Sequence, residues 1–367
     1  MRFDLATSGD DAEIRRVLRE NPLAGEVRLS LEREPDSFIA GAVQGDRYQM
    51  VVARDEPAGP VVGMGSRAIL EAWIDGAPGP IGYLSQLRVD RPYRGRGKAI
   101  LKAYAFMRQL HADGAVPFYV TTIVEDNLAA RRLLEANLPS MPRYHAVGRL
   151  VTLALRVRRA ASRRAAGVSV AQAGADSLDE VVSCLGRHGR RHQFAPRWSR
   201  ELLRCPRRCH GLRPEDFFVA RRGDRVVGCA ACWDQRGFKQ TVVRGYGPRL
   251  RWARHAVNAV GPWFGLPRLP RPGDAVRSVF LSHVAVDDDD PEVLVGLVDA
   301  AMASRHAADA DYLVMGLAES SPLLGVVKGT YACRAYPSLI YIVHWEDGAA
   351  AAAALGRRVP HLEVAIL

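Results

Sequence analysis

The sequence predicts an α/β protein of the α+β kind, made of two domains of like plan, each a mixed, mostly antiparallel sheet flanked by helices. Three observations predict it. The chain has 367 residues, more than one compact domain needs and enough for two. Strand-like runs are interleaved with runs of helical spacing. The halves also repeat one another. Tyr83-Leu84-Ser85-Gln86-Leu87-Arg88-Val89-Asp90 lines up with Phe280-Leu281-Ser282-His283-Val284-Ala285-Val286-Asp287, and the segment 118–127 lines up with 312–321, which places Glu125 over Glu319. The order strand, loop, helix, strand, helix recurs in both copies, which favours duplication over chance likeness.

In the first copy, Asp10 and Asp11 precede an amphipathic run through Ile14, Val17 and Leu18, a capped helix. Residues 48–54 and 61–74 read as strands around the turn Pro57-Ala58-Gly59-Pro60, and 81–89 as another. Ile100, Ala103, Tyr104, Met107 and Leu110 give 97–111 helical spacing. A strand over 118–123, a helix over 128–137 and closing strands over 144–155 complete the copy. The basic run 156–164 lacks an apolar stripe and reads as an exposed linker. Val168-Ser169-Val170 then starts a new first strand, with a helix beginning at Asp176. The expected division is a first domain over 1–157, a linker over 158–167, a second domain over 168–347 and a tail over 348–367.

Composition narrows the function classes. Hydrophobic residues make up 48% and charged residues 25%, which is globular rather than disordered. No run of 18 or more uncharged apolar residues offers a membrane span, and Met1-Arg2-Phe3-Asp4 does not open a signal peptide. A cytoplasmic location is the expectation. The net charge is +11, carried almost wholly by arginine, since Lys98, Lys102, Lys239 and Lys328 are the only lysines. An acidic partner would suit that charge, but no basic-aromatic interleaving of the RNA-binding kind is present. A compositional bias toward Arg and Ala is the favoured explanation, so nucleic acid is not the expected partner, and oligomerisation stays open. The six cysteines all fall in the second half. Cys229 and Cys232 lie on a strand-like run and point to opposite faces, so buried thiols are expected rather than a zinc site.

The chemistry-bearing stretch is Leu87-Arg88-Val89-Asp90-Arg91-Pro92-Tyr93-Arg94-Gly95-Arg96-Gly97-Lys98-Ala99. It runs from a strand through a glycine turn into a helix. Glycines allow positive φ and close approach of a ligand. Successive amides at a helix N-terminus then form an anion cradle, to which Arg94, Arg96 and Lys98 add charge. The fitting guest is a diphosphate. Neither the G-x-x-x-x-G-K-[ST] spacing nor G-x-G-x-x-G is present.

Arg94-Gly95-Arg96-Gly97-Lys98-Ala99, preceded by a strand, followed by a helix and joined later by Asn127-Leu128-Ala129-Ala130, resembles the signature of the GNAT N-acetyltransferase superfamily. The resemblance covers about residues 1–155, and 81–137 specifically. It implies acetyl-CoA as co-substrate, with its diphosphate on the amides of Arg94 to Ala99. It also implies pairing of the pantetheine arm with the backbone of Leu87, Arg88 and Val89, and a contact of Asn127 near the thioester. Relatives place a glutamate base at the position of Tyr83 or of Thr122, and a general-acid tyrosine at that of Leu134. All three posts are changed here. Tyr83, Glu125 and Tyr144 remain as catalytic candidates, with Glu125 also a candidate cap for the helix near Asn127 and Tyr144 a candidate packing residue.

The second copy carries Asp287-Asp288-Asp289-Asp290-Pro291-Glu292 where the first has its arginine-glycine loop. Carboxylates repel a diphosphate, so no CoA is expected there and the run reads as a helix N-terminus. His283 stands where Gln86 stands in the first copy and reads as a packed histidine. An insertion over 235–272 holds an amphipathic run through Leu250, Ala253, Val257 and Val260, preceded by Gly245 and Gly247. It could be a lid or a partner surface, with packing on its own domain's sheet favoured. The function expected is transfer of an acetyl group from acetyl-CoA to a primary amine on a small molecule or peptide. The rivals are an aminoacyl transferase using charged tRNA and a non-catalytic acyl-CoA sensor.

Overall fold

The longer helices other than the one in the insertion form where the apolar spacing is three and four, and they bury that stripe on one central sheet. The computed structural model describes residues 1–23, 25–95, 97–158, 167–264 and 268–367, so Arg96 and most of the expected linker lie outside the described residues. The first half runs β1 (Arg2–Leu5), α1 (Asp11–Glu20), β2 (Val27–Glu32), α2 (Ser37–Ala42), β3 (Arg47–Arg54), β4 (Val61–Ile74), β5 (Ala77–Val89), α3 (Gly97–His111), β6 (Tyr119–Val124), α4 (Leu128–Leu134) and β7 (Arg143–Arg156). The second runs β8 (Ser169–Gln172), α5 (Leu178–Arg191), α6 (Arg200–Arg204), β9 (Phe217–Arg222), β10 (Arg225–Trp233), β11 (Gln240–Tyr246), α7 (Pro248–Val260), β12 (Ser278–Val286), α8 (Pro291–Met302), β13 (Tyr312–Ala318), α9 (Leu323–Thr330), β14 (Cys333–His344) and α10 (Ala349–Ala353).

The two halves share one twelve-stranded sheet, in the order β1-β3-β4-β5-β6-β14-β7-β13-β12-β10-β9-β8. The order shows that the closing strands are exchanged. β7 leaves the first half and pairs antiparallel with β13, from Tyr312↔Arg156 to Ala318↔Leu150. β14 crosses the other way and pairs with β6, from Ser338↔Val124 to Val343↔Tyr119. The two exchanged strands pair with each other along their length. The segment 144–155, expected to hold several closing strands, is therefore one long strand, and its missing neighbour comes from residue 333 onward. Both central strands are covered on two faces. Ile340 and Ile342 enter the core under α5 and α2, while Tyr341 and Val343 enter the core under α3.

α1 packs Ile14, Val17 and Leu18 on Met50, Val52, Val61 and Met64. In the second half, Val293, Leu294, Leu297 and Val298 of α8 cover the opposite face from α5. Cys229 faces the α5 side and Cys232 the α8 side, as strand alternation requires. Arg67 on β4 is fully buried and forms a two-point pair with Asp113 at 2.7 and 2.8 Å. That contact holds the Asp113 carboxyl down to about 2.

The insertion packs on its own half's sheet only at its start, where Phe238 lies against Trp233 of β10 and Lys239 over Phe280 of β12; its strand goes to the other half. β11 pairs antiparallel with β2 of the first half, from Gln240↔Glu32 to Tyr246↔Val27. Gln240 exchanges bonds of 2.9 and 3.0 Å with the backbone of Glu34, and Arg244 Nε donates to Glu32 at 2.9 Å. Six backbone pairings and two side-chain clasps tie Gly245 and Gly247 into a ribbon between the halves rather than a free hinge. Among the described residues, no helix is long and apolar enough to cross a membrane.

Candidate functional site

A parallel pair of strands that splays apart leaves a fork with free backbone on both prongs. β5 and β6 pair only at Gly82↔Tyr119 and Tyr83↔Val120. The splay has a local cause. Between Met64↔Arg88 and Ser66↔Ser85, two steps on β4 face three on β5, and Gln86 takes up the extra residue with φ 57°. A bulge of this kind bends its strand and turns backbone groups out of the ladder. The second half repeats the device. Between Cys229↔Ala285 and Ala231↔Ser282, β12 carries the extra residue, and His283 has φ 53°. Gln86 and His283 are the residues that the internal repeat superposes, so the bulge was duplicated with the fold.

At the mouth of the first fork, β5 gives way to a short turn and then to α3. Asp90 N–H donates to Val62 O at 2.9 Å. The Asp90 carboxylate accepts from Asn21 at 2.7 Å and Arg16 at 3.2 Å, which anchors the strand end. Arg94 Nε donates back to Val89 O at 2.9 Å, and the same guanidinium reaches the Asn21 side-chain oxygen. Gly95 has φ 78°, and a Cβ there would meet no atom within 4 Å. α3 starts at Gly97. Gly95 thus gives an open positive-φ position on one side and α3 an N-terminus on the other, where first-turn amides lack intrahelical acceptors, a combination that suits a diphosphate.

No protein-family model matches the chain, and no curated protein matches its sequence. Solved structures do match its fold. A GCN5-related glucosamine N-acetyltransferase region of a fungal multi-domain GH3 β-N-acetylglucosaminidase superposes with a TM-score of 0.61 at 14% identity, covering 93% of this chain and 38% of that one. Saccharomyces cerevisiae N-myristoyltransferase with bound myristoyl-CoA gives 0.58 at 11% identity, covering 93% and 82%. A GCN5-related N-acetyltransferase from Anabaena variabilis gives 0.51 at 10% identity, covering 93% and 72%. The chain has the GNAT fold. Because each match covers both halves, the likeness extends to the paired arrangement. The chain spans well under half of the fungal protein it matches.

The GNAT fork brings together some of the residues expected from sequence and not others. Tyr83 sits at the branch point. Its hydroxyl shares a 3.1 Å hydrogen bond with Thr122 Oγ1 across the fork, so the two positions where sequence reading sought a base are here bonded to each other. Burial pushes the Tyr83 phenol up to about 12, the Thr122 contact opposing it. It is a proton donor at neutral pH. Asn127 caps α4, its side-chain oxygen accepting from Ala130 N–H at 3.3 Å. Glu125 does not cap that helix. Its carboxylate is bound by Arg149 at 2.6 Å, and the same arginine reaches Glu319 at 3.2 Å. One arginine thus ties together the two glutamates that the repeat superposes. Tyr144 is not brought to the fork. Its hydroxyl bonds that of Tyr104 in the core under α3, where burial raises it well above the ordinary value.

The second fork is filled by the chain itself. Residues 361–367 run between β12 and β13. Glu363 accepts from the bulge amide of His283 at 2.6 Å and from Ala365 N–H at 3.1 Å. A side chain at Gly316 on β13 would collide with Val364. Gln235 donates to Ala365 O at 2.9 Å, and Lys239 Nζ to Leu367 O at 2.6 Å. The aspartate run beside it is neutralised internally. Asp287 is held by Arg187 and Arg225, Asp289 by Arg191 and Asp290 by Arg222, while Asp290 also caps α8 ahead of Pro291. Sequence reading missed Gln86. Its alignment with His283 was visible, but nothing in a Ser-Gln-Leu or Ser-His-Val triplet announces a bulge.

Proposed function

We propose that the chain is an acyl-CoA-dependent N-acyltransferase that moves an acetyl group to a primary amine, using the first half only. The observation that carries this reading is the contrast between the duplicated forks. One is open and leads into a positive-φ glycine turn and a helix N-terminus. The other is closed by residues 361–367 and flanked by aspartates. The backbone of Leu87, Arg88 and Val89 would pair with the pantetheine arm, and the amides of Arg94, Gly95, Arg96, Gly97, Lys98 and Ala99 would hold the diphosphate.

Attack of a neutral amine on the thioester carbon places negative charge on the carbonyl oxygen, and the bond to sulfur then breaks. The N–H of Gln86 is the donor best placed for that oxygen. Its counterpart on His283 holds a carboxylate oxygen at 2.6 Å, so this bulge geometry is an anion donor in the chain's own second copy. Tyr83 would return a proton to the leaving thiolate, and its raised pKa rules it out as the base. Among the described residues no side chain in the fork is a ready base, so a water would carry the amine proton away.

Thermal melting with CoA, acetyl-CoA and myristoyl-CoA tests the reading. Gly97→Asp places a carboxylate at the helix N-terminus and is expected to abolish stabilisation by all three. Stabilisation that persists in the variant sinks the loop assignment, and preference for the long chain replaces acetyl by a longer acyl group. A non-catalytic sensor is the second reading, favoured by the bonded state of Glu125 and Tyr144. Tight CoA binding with no release of free CoA across a broad amine panel would establish it.

A further inference from the structure

Helix α7 in the insertion is 13 residues long and buries none of them. Its inner side is held by polar bonds. Arg254 donates to Pro270 O at 3.4 Å, and Asn258 exchanges bonds of 3.0 and 2.7 Å with the backbone of Leu269. Leu250 and Val257 on that side are half-buried. On the outer side Trp252, Ala253, Ala256, Ala259 and Val260 recur at helical spacing, and all are exposed. Trp252 is 80% exposed, and Trp263, in the turn that follows the helix, is 89% exposed. Indoles gain by burying the ring while the N–H stays near water, as at a lipid–water boundary.

The charge around these indoles has one sign. From residue 235 to 273 the chain holds arginines and Lys239 but no Asp or Glu. Arg236 and Arg244 pair with Asp234 and Glu32, outside that stretch. Among the described residues, no carboxylate pairs with Arg249, Arg251, Arg268 or Arg271. Glu26 approaches the start of α7, beside Gly247. Arg249 and Arg251 flank Trp252, and both are exposed. A hollow of about 470 Å³ opens beside that indole, walled in part by Arg28, Tyr246 and Arg251.

We propose that α7 and the turn after it dock the protein on an anionic lipid surface. Trp252 and Trp263 enter the interfacial layer, and Arg249 and Arg251 meet headgroup phosphates. Charge and polarity favour this occupant over two others. A second copy of the chain would set like charge against like charge. A nucleic acid would find alanines and a valine between the arginines, where strands are gripped by hydrogen-bonding side chains. The helix lies along such a surface and does not cross it. The proposal is independent of the acyltransferase reading, since it requires no CoA ester.

Vesicles test it, made of phosphatidylcholine alone or of phosphatidylcholine and phosphatidylglycerol in equal parts. The full chain is followed by co-flotation and by tryptophan emission. Trp73, Trp198, Trp233 and Trp345 are all buried, so a blue shift reports Trp252 and Trp263. The expected result is flotation and a blue shift with the mixed vesicles, roughly tenfold or more weaker with phosphatidylcholine alone and reduced by salt. Trp252→Ser combined with Trp263→Ser should melt as the parent does, because both side chains are bare, and should bind roughly tenfold or more weakly. Arg249→Glu combined with Arg251→Glu should remove the preference for phosphatidylglycerol. The proposal is overturned if the parent does not float with the mixed vesicles, or if both double variants float as the parent does. It is also overturned if a single-stranded oligonucleotide displaces the vesicles, which makes the partner nucleic acid, or if emission shifts with protein concentration alone, which makes it a second copy.

Discussion

At the residue scale, Tyr83 carries the most specific consequence. Its hydroxyl spans the branch point to Thr122, and its phenol stays protonated until about pH 12. Tyr83→Phe is expected to lower kcat by about tenfold to hundredfold with little change in KM for the thioester, as removal of a general acid does. Unchanged kcat would remove Tyr83 from the chemistry. Tyr83 and Thr122 satisfy each other's hydroxyls across the fork, so neither brings a charge to it. Glu125 illustrates the limit of sequence reading at this scale. Its negative charge next to a helix start suggested a cap, but Arg149 arrives from β7 and takes the carboxylate.

At the scale of elements, α5 and the closing segment lock together through histidines. His188 stacks on His192 with ring centres 4.0 Å apart, and His188 Nε2 lies 3.2 Å from His361 Nδ1. Burial, and next the neighbouring His192, brings His361 down to about 3, and burial takes His188 well below its ordinary value. These rings are neutral in the fold and gain a proton near pH 6.5 when unfolded. Their contribution is therefore complete above about pH 6.5 and is lost as the pH falls toward 3, at up to roughly 1.4 kcal/mol per ring for each pH unit in that window. Urea unfolding between pH 4 and 8 should show this slope, and His361→Gln should flatten it. An identical slope in the variant would place the acid sensitivity elsewhere. Losing this lock would also release the segment that fills the second fork, so acid should expose that fork before the first half unfolds.

At the scale of the molecule, the exchange of β7 and β14 makes the halves interdependent. Without β14, the edge of β6 is bare, and without β13, so is β7. Residues 1–157 alone are expected to aggregate or dimerise, and to show no melting shift with acetyl-CoA, because the prong next to the fork lacks its neighbour. A folded monomer of that fragment that binds CoA would refute the expected interdependence. The arginine content also finds its place at this scale. Arg16, Arg149, Arg187, Arg191 and Arg222 each hold a carboxylate on another element. Arg149 connects β7 to the turn after β6, and Arg187 connects α5 to the turn after β12.

The sequence by itself determined what depends on neighbours along the chain. Amphipathic spacing placed α1 and α3; the aspartate run with Pro291 placed the start of α8; strand-like runs placed β3, β4 and β10; and the arginine-glycine turn between a strand and a helix marked the one loop suited to a diphosphate. The repeat was readable because duplication preserves local patterns. Tertiary structure decided whatever depends on which strand finds which edge. The exchange of closing strands and the ribbon of β2 with β11 join residues more than a hundred positions apart, the filling of the second fork bonds His283 to Glu363 far along the chain, and backbone hydrogen bonds leave no mark on side-chain pattern. The pairing of Arg149 with both Glu125 and Glu319 belongs there too, since charge in a sequence has no position until the fold brings it beside other charge.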